Sequence, residues 1–139
     1  MTTPTTADGP ALLHVTIVPS ELATSLAFYD AALAALGIER HSDFPDEEES
    51  DAPVDAVAYA APRAEPMLWV VAGAESSRGL HVALQAESRV AVERFWAAAT
   101  AAGGTGRQAP REWEIYRRGY FGAIVADPDG NLIEAVVSE

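Results

Sequence analysis

Apolar positions along the chain fall into short stretches of period two, separated by two longer stretches at helical spacing. Residues 12–18 (LLHVTIV) read as a strand stopped by Pro19. Ser20 then stands as N-cap of a helix through SLAFYDAALAAL, with Gly37 just past its C-terminus. Ala23 occupies the place where a capping box would carry Glu or Gln, so that cap is half built. Residues 38–44 read as a strand, and 54–60 and 67–72 as two more around a turn at 62–66. The pattern then returns: strand 80–85 (LHVALQ), helix 88–102 ending in Gly103-Gly104, a polar loop, strand 119–126, the turn Asp127-Pro-Asp-Gly130 and a last strand 132–137. A DPDG turn between apolar strands signals a hairpin.

The return is an internal repeat. His14 and His81 are each the second residue of an LHV tripeptide, 67 residues apart, and Phe28-Tyr29 precedes Phe95-Trp96 by the same offset, as Gly37 precedes Gly104. Each half reads β-α-β-β-β and is too small to bury both sheet faces alone. The expected fold class is α+β: two βαβββ modules, about 11–73 and 79–139, forming an eight-stranded open barrel-like sheet around a cavity, with helices outside. Residues 1–10 read as a flexible arm and 11–139 as one domain.

Composition narrows the chemistry. The 139 residues contain no cysteine, which removes disulfides, thiolate metal sites and Cys nucleophiles; all nine basic residues are arginine, which removes Schiff-base and P-loop lysines. A net charge of −12 repels nucleic acid and anionic membranes. The acidic run 43–51 lacks the spaced ligands and turn glycine of a calcium loop and reads as a solvated loop. No apolar run approaches the ~20 residues of a membrane span and residues 1–10 do not resemble a signal peptide, so the expectation is a soluble cytoplasmic protein.

Alternation also assigns faces. His14 shares one with Leu12, Thr16 and Val18, and His81 with Ala83 and Gln85, while the purely aliphatic faces suit burial under a helix. Glu134 is the one charged residue in LIEAVV, and a carboxylate there is costly unless paired or cation-bound. Two imidazoles and one carboxylate on concave faces make a three-ligand set for a divalent metal. Without sulfur ligands, Fe, Mn, Ni, Co and Zn all remain open.

The stretches H14VTIVPSELATSLAFYDAALAALGI38, G79LHVAL84 and D127PDGNLIEAV136 resemble the vicinal oxygen chelate superfamily, which is also called the glyoxalase/bleomycin resistance/dioxygenase superfamily, over roughly residues 12–137. The resemblance implies metal ligands on the first and last strands of each module, which His14, His81 and Glu134 match. The fourth position falls near residues 67–69 and carries no ligand. That departs from a glyoxalase I or methylmalonyl-CoA epimerase site and is closer to extradiol dioxygenases and fosfomycin-resistance transferases, although the loop 107–119 lacks the latter's ion-binding signature. His41 is the remaining histidine and lies beside the acidic loop.

Arg111, Trp113, Tyr116, Arg117, Arg118 and Tyr120 are candidates for a pocket wall, with Gln85 and Trp69 as further lining residues. Arginine offers two-pronged binding of a carboxylate or phosphate, and Tyr or Trp offers stacking and a hydrogen bond. Alternation places Tyr120 with Gly122 and Ile124 but leaves open whether that face is concave. Phe28, Phe95 and Trp96 read as helix packing.

Two functions follow as expectations. The first is a metal-dependent enzyme acting on a small molecule chelated through vicinal oxygens, dioxygenase-like or lyase/isomerase-like, with Glu134, Tyr116 and Tyr120 in catalytic roles. The alternative is a non-enzymatic drug- or metabolite-binding protein similar to bleomycin-resistance proteins. By the resemblance a homodimer is expected, with the site formed within one chain or across two.

Overall fold

The computed structural model describes residues 10–45, 54–114 and 118–138; most of the acidic run lies outside them. The elements follow in order β1 (Val15–Ile17), α1 (Leu22–Ala34), β2 (Glu39–Pro45), β3 (Val54–Ala60), β4 (Leu68–Val71), β5 (His81–Gln85), α2 (Arg89–Ala101), β6 (Thr105–Glu112), β7 (Tyr120–Ala126) and β8 (Leu132–Ser138). They form two βαβββ modules. One four-stranded mixed sheet has the order β1-β4-β3-β2 and the other β5-β8-β7-β6, with β1–β4 and β5–β8 parallel and the remaining pairs antiparallel.

Two local expectations are revised. Glu21, not Ser20, is the N-cap of α1, and it makes no side-chain cap bond. The Ser20 hydroxyl and amide instead bond Asp129, 109 residues away. In α2 the cap is Ser88, its Oγ accepting from the Ala91 amide. The stretch after α2 is a strand rather than a loop. Β6 (TGRQAPRE) is a polar, mostly exposed edge strand, and it lacks the apolar alternation by which a half-buried strand is recognised.

Helix α1 closes with Gly37 in the left-handed region (φ 79°), the Ile38 amide reaching back to Leu33 and the Gly37 amide to Ala34. Its conformational counterpart in the second module is Gly103 (φ 101°), one residue before the Gly104 matched by sequence offset. Gly104 has a different task. A Cβ there would fall 2.5 Å from Phe28 and 2.6 Å from Val125, so its bare backbone lets α1 of the first module seat on the second.

That contact sets the architecture. Phe28, Tyr29, Leu33, Val57 and Val70 share one continuous core with Val92, Phe95, Val125 and Ile133, and the two helices pack against each other within it. The two sheets are not hydrogen-bonded into one eight-stranded sheet. Their aliphatic faces close on the helices, and their histidine-bearing faces are turned away from the shared core. Among the described residues no helix is long and apolar enough to cross a membrane.

The DPDGN turn joins the modules. Tyr29 donates its phenol proton to Asp127 at 2.5 Å, and the buried Asp127 carboxylate also accepts from the amides of Asp129 and Asn131 and from the Asn131 side chain. Asn131 also accepts from the Leu80 amide and donates to the Ser77 carbonyl, tying the inter-module segment to the β7–β8 hairpin. Burial, reinforced by the Asp127 carboxylate, pushes the Tyr29 phenol far above its usual value, so it stays a donor.

Candidate metal and substrate site

The strand pairings place the ligand candidates. Parallel pairing of β5 with β8 sets Ala83 beside Glu134, and pairing of β1 with β4 sets Thr16 beside Trp69. His81 stands two residues before Ala83, and His14 two before Thr16, each on the same face as its neighbour. Trp69 is therefore the structural equivalent of Glu134, which locates the missing fourth ligand at a single residue.

In the second module His81 and Glu134 meet: Nε2 lies 2.8 Å from Oε1. The Tyr120 hydroxyl donates to the other carboxylate oxygen at 3.3 Å. Glu134 is buried to 9% exposure while the His81 side chain is half exposed, so the imidazole and phenol compensate a carboxylate drawn down into the sheet. The pairing Tyr120–Ser138, Gly122–Val136 and Ile124–Glu134 answers the question alternation left open: Tyr120 is on the Glu134 face.

In the first module His14 is exposed and lies just before β1, its ring 6.1 Å from that of Trp69. The two modules carry separate hollows. Leu13, His14, Glu65, Pro66 and Trp69 line one of about 290 Å³; Ala83, Gln85, Tyr120, Val136 and Ser138 line another of about 410 Å³. Among the described residues no three His, Asp or Glu side chains converge as a metal site would require. The expected His14/His81/Glu134 set is thus not assembled within one chain, because the shared core lies behind both histidine-bearing faces. Leu12 and Leu13, beside His14, are more than four-fifths exposed.

The remaining candidates divide. Arg111 pairs with Gly122 and so lies on the Glu134 face, its guanidinium stacked 3.9 Å over the Trp113 ring. The Trp113 amide bonds the Tyr120 carbonyl. Gln85 lies beside Val136 on the same face. Arg118 is exposed in the turn before β7, and no described contact joins it to the others. Tyr116 and Arg117 lie outside the described residues. His41 is at a register shift in β2, where it lines a different hollow with Arg40 and Arg63, on the edge strand opposite β1. Phe28 and Phe95 are fully buried packing residues. Sequence reading placed the fourth position near residues 67–69, and the pairing of β1 with β4 narrows it to Trp69.

With this geometry established, likeness to known proteins can be placed. The profile of the Glyoxalase/Bleomycin resistance protein/Dioxygenase superfamily matches residues 11–135. The chain belongs to this superfamily. A glyoxalase/bleomycin resistance protein from Albidiferax ferrireducens T118 is 27% identical, with a TM-score of 0.70 over 91% of this chain and 97% of that one. Two structures of lower identity share the fold. TnmS3, an antibiotic binding protein from Streptomyces sp. CB03234, is 19% identical, with TM-score 0.62 over 96% and 100% of the two chains. Lactoylglutathione lyase from Agrobacterium tumefaciens is 16% identical, with TM-score 0.62 over 94% and 96%. No curated protein matches in sequence. The superfamily includes both enzymes and non-enzymatic binders.

Superfamily membership raises the question of a divalent metal, and the donors present bear on it directly. His81 and Glu134 suit such an ion: one imidazole nitrogen and one carboxylate oxygen sit together on an open face, with no thiolate or lysine beside them. They are two donors, and among the described residues no third His, Asp or Glu joins them.

Proposed function

We propose that the protein is a metal-dependent enzyme acting on a small oxygen-chelating molecule, and that it works as a homodimer. In each site His81 and Glu134 of one copy are completed by His14 of a second. The carrying observation is the His81–Glu134 pair at 2.8 Å on a face left open by the chain's own fold. The uncovered Leu12 and Leu13 beside His14 supply apolar surface for the second copy to bury.

Bound there, a divalent ion supplies Lewis-acid stabilisation of negative charge developing on substrate oxygens. The chain's own groups do the rest. His81 and Glu134 hold the ion, Glu134 offsetting its charge. Tyr120, with its hydroxyl 3.3 Å from Glu134 Oε2, is positioned to pass a proton between carboxylate and substrate. Val136 and Ala83 floor the hollow between them. A second reading, a non-enzymatic binder, is favoured by one feature: Trp69 turns the first module's ligand position into an aromatic wall.

Mixed dimers test the proposal. His14→Ala and Glu134→Ala proteins should each lose Mn(II) binding, while mixing them restores one intact site per mixed dimer. Metal binding that no mixture restores places all ligands in one chain and overturns the shared site. A wild-type chain that takes up none of Fe(II), Mn(II), Ni(II), Co(II) or Zn(II) overturns the enzyme reading in favour of the binder.

A further inference from the structure

β6 brings a cation to the same face as the Glu134 pair. Four strands carry a row across the second sheet, Arg111–Gly122–Val136–Gln85, adjacent to the row Ile124–Glu134–Ala83. The opposite face is independently marked: Glu112 and Phe121 pair there, and Arg89 of α2 reaches both, stacking on Phe121 at 4.7 Å and approaching Glu112 at 3.6 Å. Arg111, paired with Gly122, therefore points away from the helices.

Two properties suit this guanidinium to a ligand. It is preorganised, because the Trp113 ring at 3.9 Å fixes its plane. It is also uncommitted to an anion: in a chain of net charge −12, Arg40, Arg78 and Arg89 each have a carboxylate partner, whereas Arg111 has none among the described residues. Arg111 stands two strands and one two-residue step from Glu134, about 12 Å at ordinary strand spacing and rise. A compact ligand can span that distance.

We infer that Arg111, held flat by Trp113, is the anion-recognition group of this site, and that its substrates carry a carboxylate besides the oxygens bound near His81 and Glu134. The inference rests on the proposed site for the second half of that description; the carboxylate half is tested without metal. A planar fork of N–H donors matches a carboxylate in two parallel bonds, which a lysine would not reproduce.

The test is a titration of metal-free, ¹⁵N-labelled full-length protein with benzoate, benzyl alcohol and phenylphosphonate. It is followed at the Trp113 indole N–H, a resonance assigned by its loss in Trp113→Phe. Benzoate should bind at least ~10-fold more tightly than the alcohol and more tightly than the phosphonate, and the preference should vanish in Arg111→Gln and return only slightly in Arg111→Lys. Unchanged backbone amide spectra show that the variants are folded. Equal binding of benzoate and alcohol, a preference that survives Arg111→Gln, or tighter binding of phenylphosphonate overturns the inference. A parallel Mn(II) titration of the wild type separates the two ideas: absent metal binding with an intact benzoate preference sinks the metal enzyme and spares the carboxylate subsite.

Discussion

The two modules have the same strand order, the same parallel pairing of first and last strands and a histidine at the same place. They differ in what faces that histidine: a carboxylate at 2.8 Å in the second, an indole with its ring centre 6.1 Å away in the first. A duplicated fold has thus kept its scaffold symmetric and let its chemistry diverge. The second module offers a charged, hydrogen-bonded donor pair; the first offers one exposed donor against an aromatic wall. Among the described residues neither face holds a complete ligand set, and the proposed site draws its third donor from a second copy.

The sharpest way to break this comparison is to remove the charged member. Glu134→Gln keeps the shape and hydrogen-bonding capacity at Tyr120 and His81 but loses the anion. Mn(II) affinity measured by calorimetry should fall at least ~100-fold, since even outer-shell changes around a metal cost about 10–100-fold. His14→Ala should also weaken binding by at least ~10-fold, although His14 touches neither residue; unchanged affinity would contradict a shared site.

Next in size is the link between the modules. Tyr29→Phe leaves the buried Asp127 carboxylate one donor short, and chemical denaturation should show a loss of about 2 kcal/mol. A change within a few tenths of a kcal/mol would mean that the amides of Asp129 and Asn131 suffice.

Making the first module resemble the second is a smaller but more telling change. Trp69→Glu places a carboxylate at the position equivalent to Glu134 and should tighten Mn(II) binding about 10-fold by adding a charged ligand. Unaltered affinity would show that the two positions correspond in the sheet but not at the ion.

The smallest expected effect concerns a cluster peculiar to the first module. Asp30 accepts two hydrogen bonds from Arg40 and one from the Tyr59 hydroxyl. Partial burial works to raise its carboxyl, but the Arg40 and Tyr59 bonds outweigh it and hold the group below the usual carboxylate value. A depressed folded value stabilises above the unfolded value, about pH 4, and that stabilisation is lost as pH falls through the folded one. Asp30→Asn should therefore cost about 1 kcal/mol at pH 7, given its exposure, with the gap to wild type closing below about pH 4 in urea titrations.

How much of this was legible in the sequence depends on the source of each signal. The helices, seven of the eight strands and the module repeat were readable because burial writes a period into the chain, and Phe28 and Phe95 kept that period. β6 was not readable: an edge strand exposed along most of its length carries no such imprint, yet it holds Arg111. Ser20 looked like a cap because local chemistry allowed it, and a carboxylate 109 residues away took its hydroxyl instead. Alternation gave His81 its face and marked Glu134 as a carboxylate in need of a partner, but their meeting depends on the register of β5 with β8. The separation of His14 from that pair was not readable, because which way two modules face is decided by long-range packing at Phe28 and Gly104.

The hydrogen bond from Tyr29 to Asp127 has a bearing on how the chain comes into being. The two residues are 98 positions apart in a chain of 139, so closing that loop costs about 4 kcal/mol of chain entropy plus a constant. On a ribosome the first module is made entire, helix included, while its partner carboxylate is still untranslated. Its phenol and the apolar side of α1 must wait, exposed, until the last hairpin emerges. The halves are copies in architecture, but they mature as a single unit, and the β7–β8 hairpin decides when the first module is finished.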